Sequence, residues 1–281
     1  MEIHCTDGRA LTAEMDLATA TRRGVVVMAS ATGVRRQYYA PLAEFIAAHG
    51  FDVLRFDPRG IGDSRVGDVR RDPTCMRDWG VLDIDAALRH AAERADGWGK
   101  VCLIGHSSGG HLAPLGSAFA SIRQAVFIAS GTCNWRLYPR HQWPRLLAAW
   151  YGAVPVLTRA FGYLPGWAGV GVDLPLGVAR DWRGWSVAPD YLFSDSTLDT
   201  SGYASWPGRL HAISIADDSG FSPPPTVHDL LRRFQSATVT HEALKPDATS
   251  GSIGHFGFFH PRHSKLWSRV IAALEVVGAP L

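Results

Sequence analysis

The stretch Gly105-His-Ser-Ser-Gly109 holds a serine, Ser107, between two glycines, directly after the apolar run Val101-Cys-Leu-Ile104. This is the G-x-S-x-G pattern of a nucleophile elbow, a sharp strand-to-helix turn that lifts a serine Oγ to the edge of a sheet. A serine hydroxyl is a weak nucleophile at neutral pH and needs an adjacent base, itself oriented by a third group. After an elbow of this kind the acid and the histidine follow the serine in that order, each on a loop beyond a late strand. Asp217 and Asp218 end the apolar run Leu-His-Ala-Ile-Ser-Ile-Ala216, and His255 sits in Gly-His-Phe-Gly-Phe-Phe259 after the last strand candidate. Residue types, chain order and strand ends agree on acyl chemistry by Ser107 and His255, with Asp217 or Asp218 as the acid.

Such side chains need a rigid frame, and hydrophobic periodicity supplies one. Ile3 to Leu17 reads as a hairpin turning at Asp7-Gly8. Val25–Ala29, Phe51–Phe56, Val101–Ile104, Ile122–Ala129, Leu210–Ala216 and Thr238–Ala243 read as strands. The uninterrupted apolar runs among them suit strands buried on both faces. Helices are expected over Tyr38–His49, Trp79–Arg94, Gly109–Ala120, Thr226–Gln235 and Pro261–Val277. Strands alternating with helices imply crossover units and a mostly parallel, doubly wound α/β sheet, with ligands beyond the carboxyl ends of the strands.

The alternation stops between Asn134 and Trp206. That segment carries seven of the ten tryptophans (135, 143, 150, 167, 182, 185 and 206) among regularly spaced prolines and glycines. It reads as a helical insertion splitting one core into residues 1–133 and 207–281. Its aromatic rings can glue it to the core, line an apolar pocket over Ser107, or do both.

Composition narrows the function classes. With 46% apolar residues the chain has ample material for a core, and a net charge of +2 without a basic stripe argues against nucleic acid and anionic membrane as partners. The N-terminus lacks the pattern of a signal peptide, no apolar run is long enough to span a membrane, and Cys5, Cys75, Cys102 and Cys133 are scattered. These features point to a cytoplasmic protein with reduced thiols. His255, His260 and His263 have no carboxylate or cysteine at ligand spacing, so no metal is expected.

GHSSGG, the loop Asp57-Pro-Arg-Gly-Ile-Gly-Asp-Ser64 and the terminal GHFGFF together resemble the α/β-hydrolase superfamily along nearly the whole chain. The GHFGFF motif and the Trp-rich insertion are most similar to predicted bacterial hydrolases whose substrates are generally unassigned. The resemblance implies an α/β-hydrolase fold with a cap insertion, no cofactor, and a Ser107–Asp218–His255 triad. Counting from Arg209, where relatives often carry proline, favours Asp218 over Asp217. With Tyr39 as the anchor of the family pattern, the oxyanion donors fall on the backbone amides of Thr32 and Ser108, with Gly33 the close alternative. Here the chain departs from the superfamily, reading Ser30-Ala31 where His-Gly is common. Asp57 is expected to order its loop, Gly60 and Gly62 to make turns, and His106 to shape the elbow or pocket wall. The expected function is hydrolysis of an ester, thioester or related acyl bond of a hydrophobic small molecule. Acyl transfer by the same triad, or ligand sensing on the same fold, are the alternatives.

Overall fold

The structure, a computed structural model, describes residues 1–246 and 251–275. Eight strands form one sheet: β1 (Glu2–His4), β2 (Ala10–Asp16), β3 (Gly24–Ala29), β4 (Phe51–Phe56), β5 (Val101–His106), β6 (Gln124–Ile128), and β9 (Arg209–Ile215) and β10 (Thr238–Leu244). Their order is β1-β2-β4-β3-β5-β6-β9-β10. β1 pairs antiparallel with β2 and β2 antiparallel with β4, while every later neighbour is parallel. The remaining two strands, β7 (Tyr163–Leu164) and β8 (Leu174–Pro175), make a small separate ribbon inside the insertion. The fold is the α/β-hydrolase fold.

Every residue of β3, β4, β5 and β6 is buried, as strands covered on both sides require, and the buried Asp52 and Arg55 of β4 are paired with Arg94 and Asp16. Alternate side chains feed two cores. Val25, Val27, Leu103 and Phe127 pack on one face with the helix Asp85–Arg94, and Val26, Met28, Ile104 and Val126 pack on the other with the helices Ala40–Ala48 and Ser268–Glu275. β10 is the far edge and is largely exposed.

Two helices differ from expectation. The one after the elbow runs only from Ser108 to Leu112 and continues as 3₁₀ turns over Ala113–Leu115 and Ser117–Ser121. Pro114 has no N–H for the helix ladder and clashes with the preceding turn, so the α-helix cannot pass it. The last helix begins as a 3₁₀ stretch, Pro261–Leu266, before Ser268–Glu275; Val276 and Val277 of its expected span lie outside the described residues. No helix of the described residues is long and apolar enough to cross a membrane.

Between β6 and β9 the chain leaves the sheet. Helical segments Trp143–Leu147, Val154–Phe161 and Leu176–Val187 enclose a small core of Tyr138, Leu146 and Trp150, against which Trp135 and Trp182 pack.

Candidate active site

The elbow exists because its glycines let backbones touch. A Cβ on Gly105 would lie 2.4 Å from Gly110 Cα, and one on Gly109 would lie 2.2 Å from the Ala29 carbonyl oxygen. Only with both absent can the helix start pack onto β3 and β5. Ser107 itself sits at φ 51°, ψ −115°, a conformation that costs a non-glycine residue on the order of 1–3 kcal/mol. That strain, held in place by β5 and the following helix, is what turns the hydroxyl outward.

Ser107 opens on a cavity of about 300 Å³, whose wall also includes Thr32, Ser108, His111 and His255. Elements distant in sequence deliver these groups: the loops after β3 and β5, the short elbow helix, and the turn Gly254–Gly257. The amides of Thr32 and Ser108 have no protein acceptor among the described residues, whereas the neighbouring Ala31 amide donates to Tyr39 Oη at 2.9 Å. Gly33 is not part of the cavity wall. It lies at φ 71° under the insertion, where a Cβ would meet the Val170 carbonyl oxygen at 1.9 Å.

The two adjacent aspartates have separate partners. Asp218 Oδ2 lies 2.5 Å from His255 Nδ1, and both side chains are buried. The other carboxylate oxygen of Asp218 accepts from the Phe221 amide at 3.1 Å, which fixes its plane. Asp217 instead accepts from Ser252 Oγ at 2.7 Å and from the amides of Ile253 and Gly254, both at 3.0 Å. Burial raises its pKa, but these hydrogen bonds outweigh burial and hold the carboxyl below its usual value. Asp217 therefore clasps the loop that presents His255, while Asp218 meets the ring. With Nδ1 committed to Asp218, Nε2 is the His255 nitrogen free to exchange a proton. The Phe221 ring stacks on His255 at 4.7 Å.

A buried relay joins the site's three loops. Because Tyr39 Oη accepts from Ala31, its own proton goes to His106 Nδ1 at 2.9 Å, and His106 Nε2 then donates to the His255 carbonyl at 3.0 Å. Burial, and then the neighbouring His255, push the pKa of His106 well down, so the ring stays neutral as this pattern requires. His106 shapes the elbow from behind and is not part of the cavity wall. The sequence held no signal for this relay or for the Asp217 clasp, because their partners are up to 149 residues apart.

DPRGIGDS forms a buried ionic hub next to the site. Asp57 accepts from the Arg36 amide at 2.7 Å and from the Arg36 guanidinium, and Arg59 pairs with Asp83 at 2.6 Å and Asp7 at 2.7 Å. Gly60 and Gly62 turn the loop at φ 75° and 52°, and a Cβ on Gly62 would strike the Asp57 carboxylate. The carboxylate Asp57 thus orders its loop.

Of the insertion's tryptophans, Trp182 lines the Ser107 cavity. A second, apolar chamber of about 250 Å³ adjoins it, sharing Cys133, Gly169, Val170, Trp182 and Phe221 and walled further by Trp150. Trp206 and Trp185 are buried structural residues whose indole N–H groups donate to the Ile122 carbonyl and to Asp195. Trp167 is 72% exposed.

A strained elbow serine beside a carboxylate-held histidine, at the carboxyl ends of a parallel sheet, defines the class: an α/β hydrolase. The chain belongs to the alpha/beta hydrolase family, whose model matches residues 25–263. It is an enzyme of that family. Solved structures share the fold over nearly the whole chain. A soluble variant of monoglyceride lipase from Saccharomyces cerevisiae, in complex with a substrate analog, superposes with a TM-score of 0.69 at 13% identity, covering 100% of this chain and 96% of that one. The esterase EaEST from Exiguobacterium antarcticum gives 0.63 at 13% identity, covering 98% and 99%. Est1E from Butyrivibrio proteoclasticus, with ferulic acid bound, gives 0.61 at 13% identity, covering 98% and 99%. No curated protein matches the chain.

Proposed function

We propose that this protein is a serine hydrolase that cleaves a carboxylic ester of a small, largely apolar molecule through an acyl-enzyme. The observation that carries the reading is the 2.5 Å contact between His255 and Asp218, in a cavity shared with the strained Ser107. Ser107 Oγ attacks the ester carbonyl while His255 Nε2 takes its proton. The negative charge on the carbonyl oxygen is met by the N–H groups of Thr32 and Ser108, which have no other acceptor among the described residues. As the tetrahedral intermediate collapses, the C–O bond breaks and His255 returns the proton to the leaving alcohol. A water, deprotonated by the same nitrogen, then attacks the acyl-enzyme, releasing the acid and restoring the Ser107 hydroxyl. Asp218 holds the imidazole in the required tautomer and stabilises its charged form throughout.

The insertion acts as a cap in this reading. Gly169, Val170, Gly171 and Trp182 wall the cavity opposite the sheet, and the adjoining chamber offers a nearly hydrocarbon surface to the apolar part of the substrate. The monoglyceride lipase and the esterase among the structural neighbours support ester chemistry for the same fold. Intact-mass analysis after treatment with a fluorophosphonate is the test. The expected result is one adduct on the natural chain and none on Ser107→Ala, with turnover of p-nitrophenyl esters lost in the same variant. An adduct retained by Ser107→Ala would overturn the assignment.

A further inference from the structure

The chamber beside the Ser107 cavity is lined mostly by apolar residues. Among the described residues lining either compartment, Arg145 is the one that carries a full charge, and it stands in the part of the chamber not shared with the Ser107 cavity. Three other arginines of the insertion are engaged by the protein. Arg136 donates to the Val187 and Ala188 carbonyls, Arg183 donates to the Trp150 carbonyl, and Arg140 lies over the Trp143 ring. Arg145 has neither an ion pair nor a side-chain hydrogen bond within the described residues. Along the chain, residues 134–172 contain Arg136, Arg140, Arg145 and Arg159 and no aspartate or glutamate. This segment of the insertion therefore carries a net positive charge where it frames the chamber.

We propose that the chamber selects substrates whose apolar portion ends in a carboxylate, with Arg145 as the counter-ion at its far end. A hydrocarbon segment would lie against Leu146, Trp150, Val154 and Leu157, and its terminal carboxylate would emerge beside the guanidinium, whose planar fork matches two carboxylate oxygens. Because Arg145 is exposed, the anion keeps much of its hydration and the desolvation cost stays small. A half-ester of an unbranched dicarboxylic acid has the required form, with one end hydrolysed at Ser107 and the other held at Arg145. This specificity rests on the hydrolase reading above.

Matched ester pairs test it: monomethyl adipate, suberate and sebacate against methyl hexanoate, octanoate and decanoate. The natural enzyme should favour the half-ester at one or more lengths by about three- to tenfold in kcat/KM, mainly through KM, as expected of a half-exposed ion pair. Arg145→Gln should bring that ratio close to one, and Arg145→Lys should restore part of it. A general packing defect lowers both members of a pair and leaves their ratio alone. The proposal is overturned by a ratio near one at every length in the natural enzyme, or by a preference that survives Arg145→Gln. Calorimetric binding of suberate and octanoate to Ser107→Ala, with and without Arg145→Gln, reads the same ratio without turnover. If no ester is cleaved but suberate binds more tightly through Arg145, the hydrolase reading fails and the anion site stands.

Discussion

Asp217 and Asp218 are one bond apart and cannot be exchanged. They lie in the turn after β9, where the Asp218 amide donates back to the Ile215 carbonyl, and from it one carboxylate reaches the His255 ring while the other reaches the backbone of the loop that carries it. Asp218→Asn should lower kcat by on the order of 10³-fold or more, because an amide does not enforce the correct imidazole tautomer. Asp217→Asn keeps one acceptor oxygen and should lower kcat by about tenfold through loosening of the loop. Steady-state kinetics on p-nitrophenyl acetate separates the two. Equal losses would mean that the clasp and the orienting contact act as one unit. The two glycines of the elbow are explained at the same scale, by contacts under 2.5 Å that a methyl group would create.

The loops act together because neutral hydrogen bonds and close backbone contacts tie them to one another. Tyr39 and His106 link the Ala31 amide to the His255 carbonyl, so the loop carrying Thr32 and the histidine loop share one buried brace. The insertion is fastened to the same place. Gly33 and Gly171 approach so closely that a Cβ on either would meet the facing backbone, of Val170 or of Gly33, at 1.9 and 2.5 Å. Gly169, also at positive φ, has open space around it. Gly169→Ala should therefore cost only the backbone strain, about 1 kcal/mol, while Gly33→Ala must also displace the insertion or the Thr32 amide. Thermal melts and ester kinetics on both variants check this. The expected outcome is a larger fall in Tm and a loss of kcat/KM for Gly33→Ala, with near-natural kcat/KM for Gly169→Ala.

Across the whole molecule, burial of neutral histidines sets how the fold responds to acid. Burial holds the pKa of His111 down to about 3, with the Tyr191 hydroxyl 3.0 Å from its Nε2, and pushes His106 well down too. Both rings would titrate near 6.5 in the unfolded chain. Between these values only the unfolded chain binds the proton, so stability is full above about pH 6.5 and is lost as pH falls towards 3. Each such ring contributes a loss of about 1.4 kcal/mol per pH unit within its window. Urea unfolding at pH 7.5, 6 and 5 should show this decline. In His111→Gln, whose amide oxygen can accept from Tyr191 and does not titrate, the decline should be shallower by about one proton. An unchanged slope would show that His111 is charged in the folded protein.

The sequence by itself determined the order of the core strands along the chain, the elbow and the pair of candidate acids, because each depends on local patterns. Apolar runs dictate buried strands, glycines at fixed spacing dictate a sharp turn, and chain order restricts which acid and histidine can serve one serine. The seven tryptophans made an insertion legible but not their individual roles, since a ring packed in a core and a ring lining a cavity have the same local pattern. Only the tertiary structure decided between Asp217 and Asp218 as the partner of His255, between Thr32 and Gly33 at the cavity wall, and between His106 as wall and His106 as brace. Each of these turns on ångström-scale placement of groups tens to more than a hundred residues apart, which depends on sheet register, loop conformation and packing at once. Pro114 limits the elbow helix by local chemistry, yet the chamber that Arg145 lines exists only once the insertion has folded.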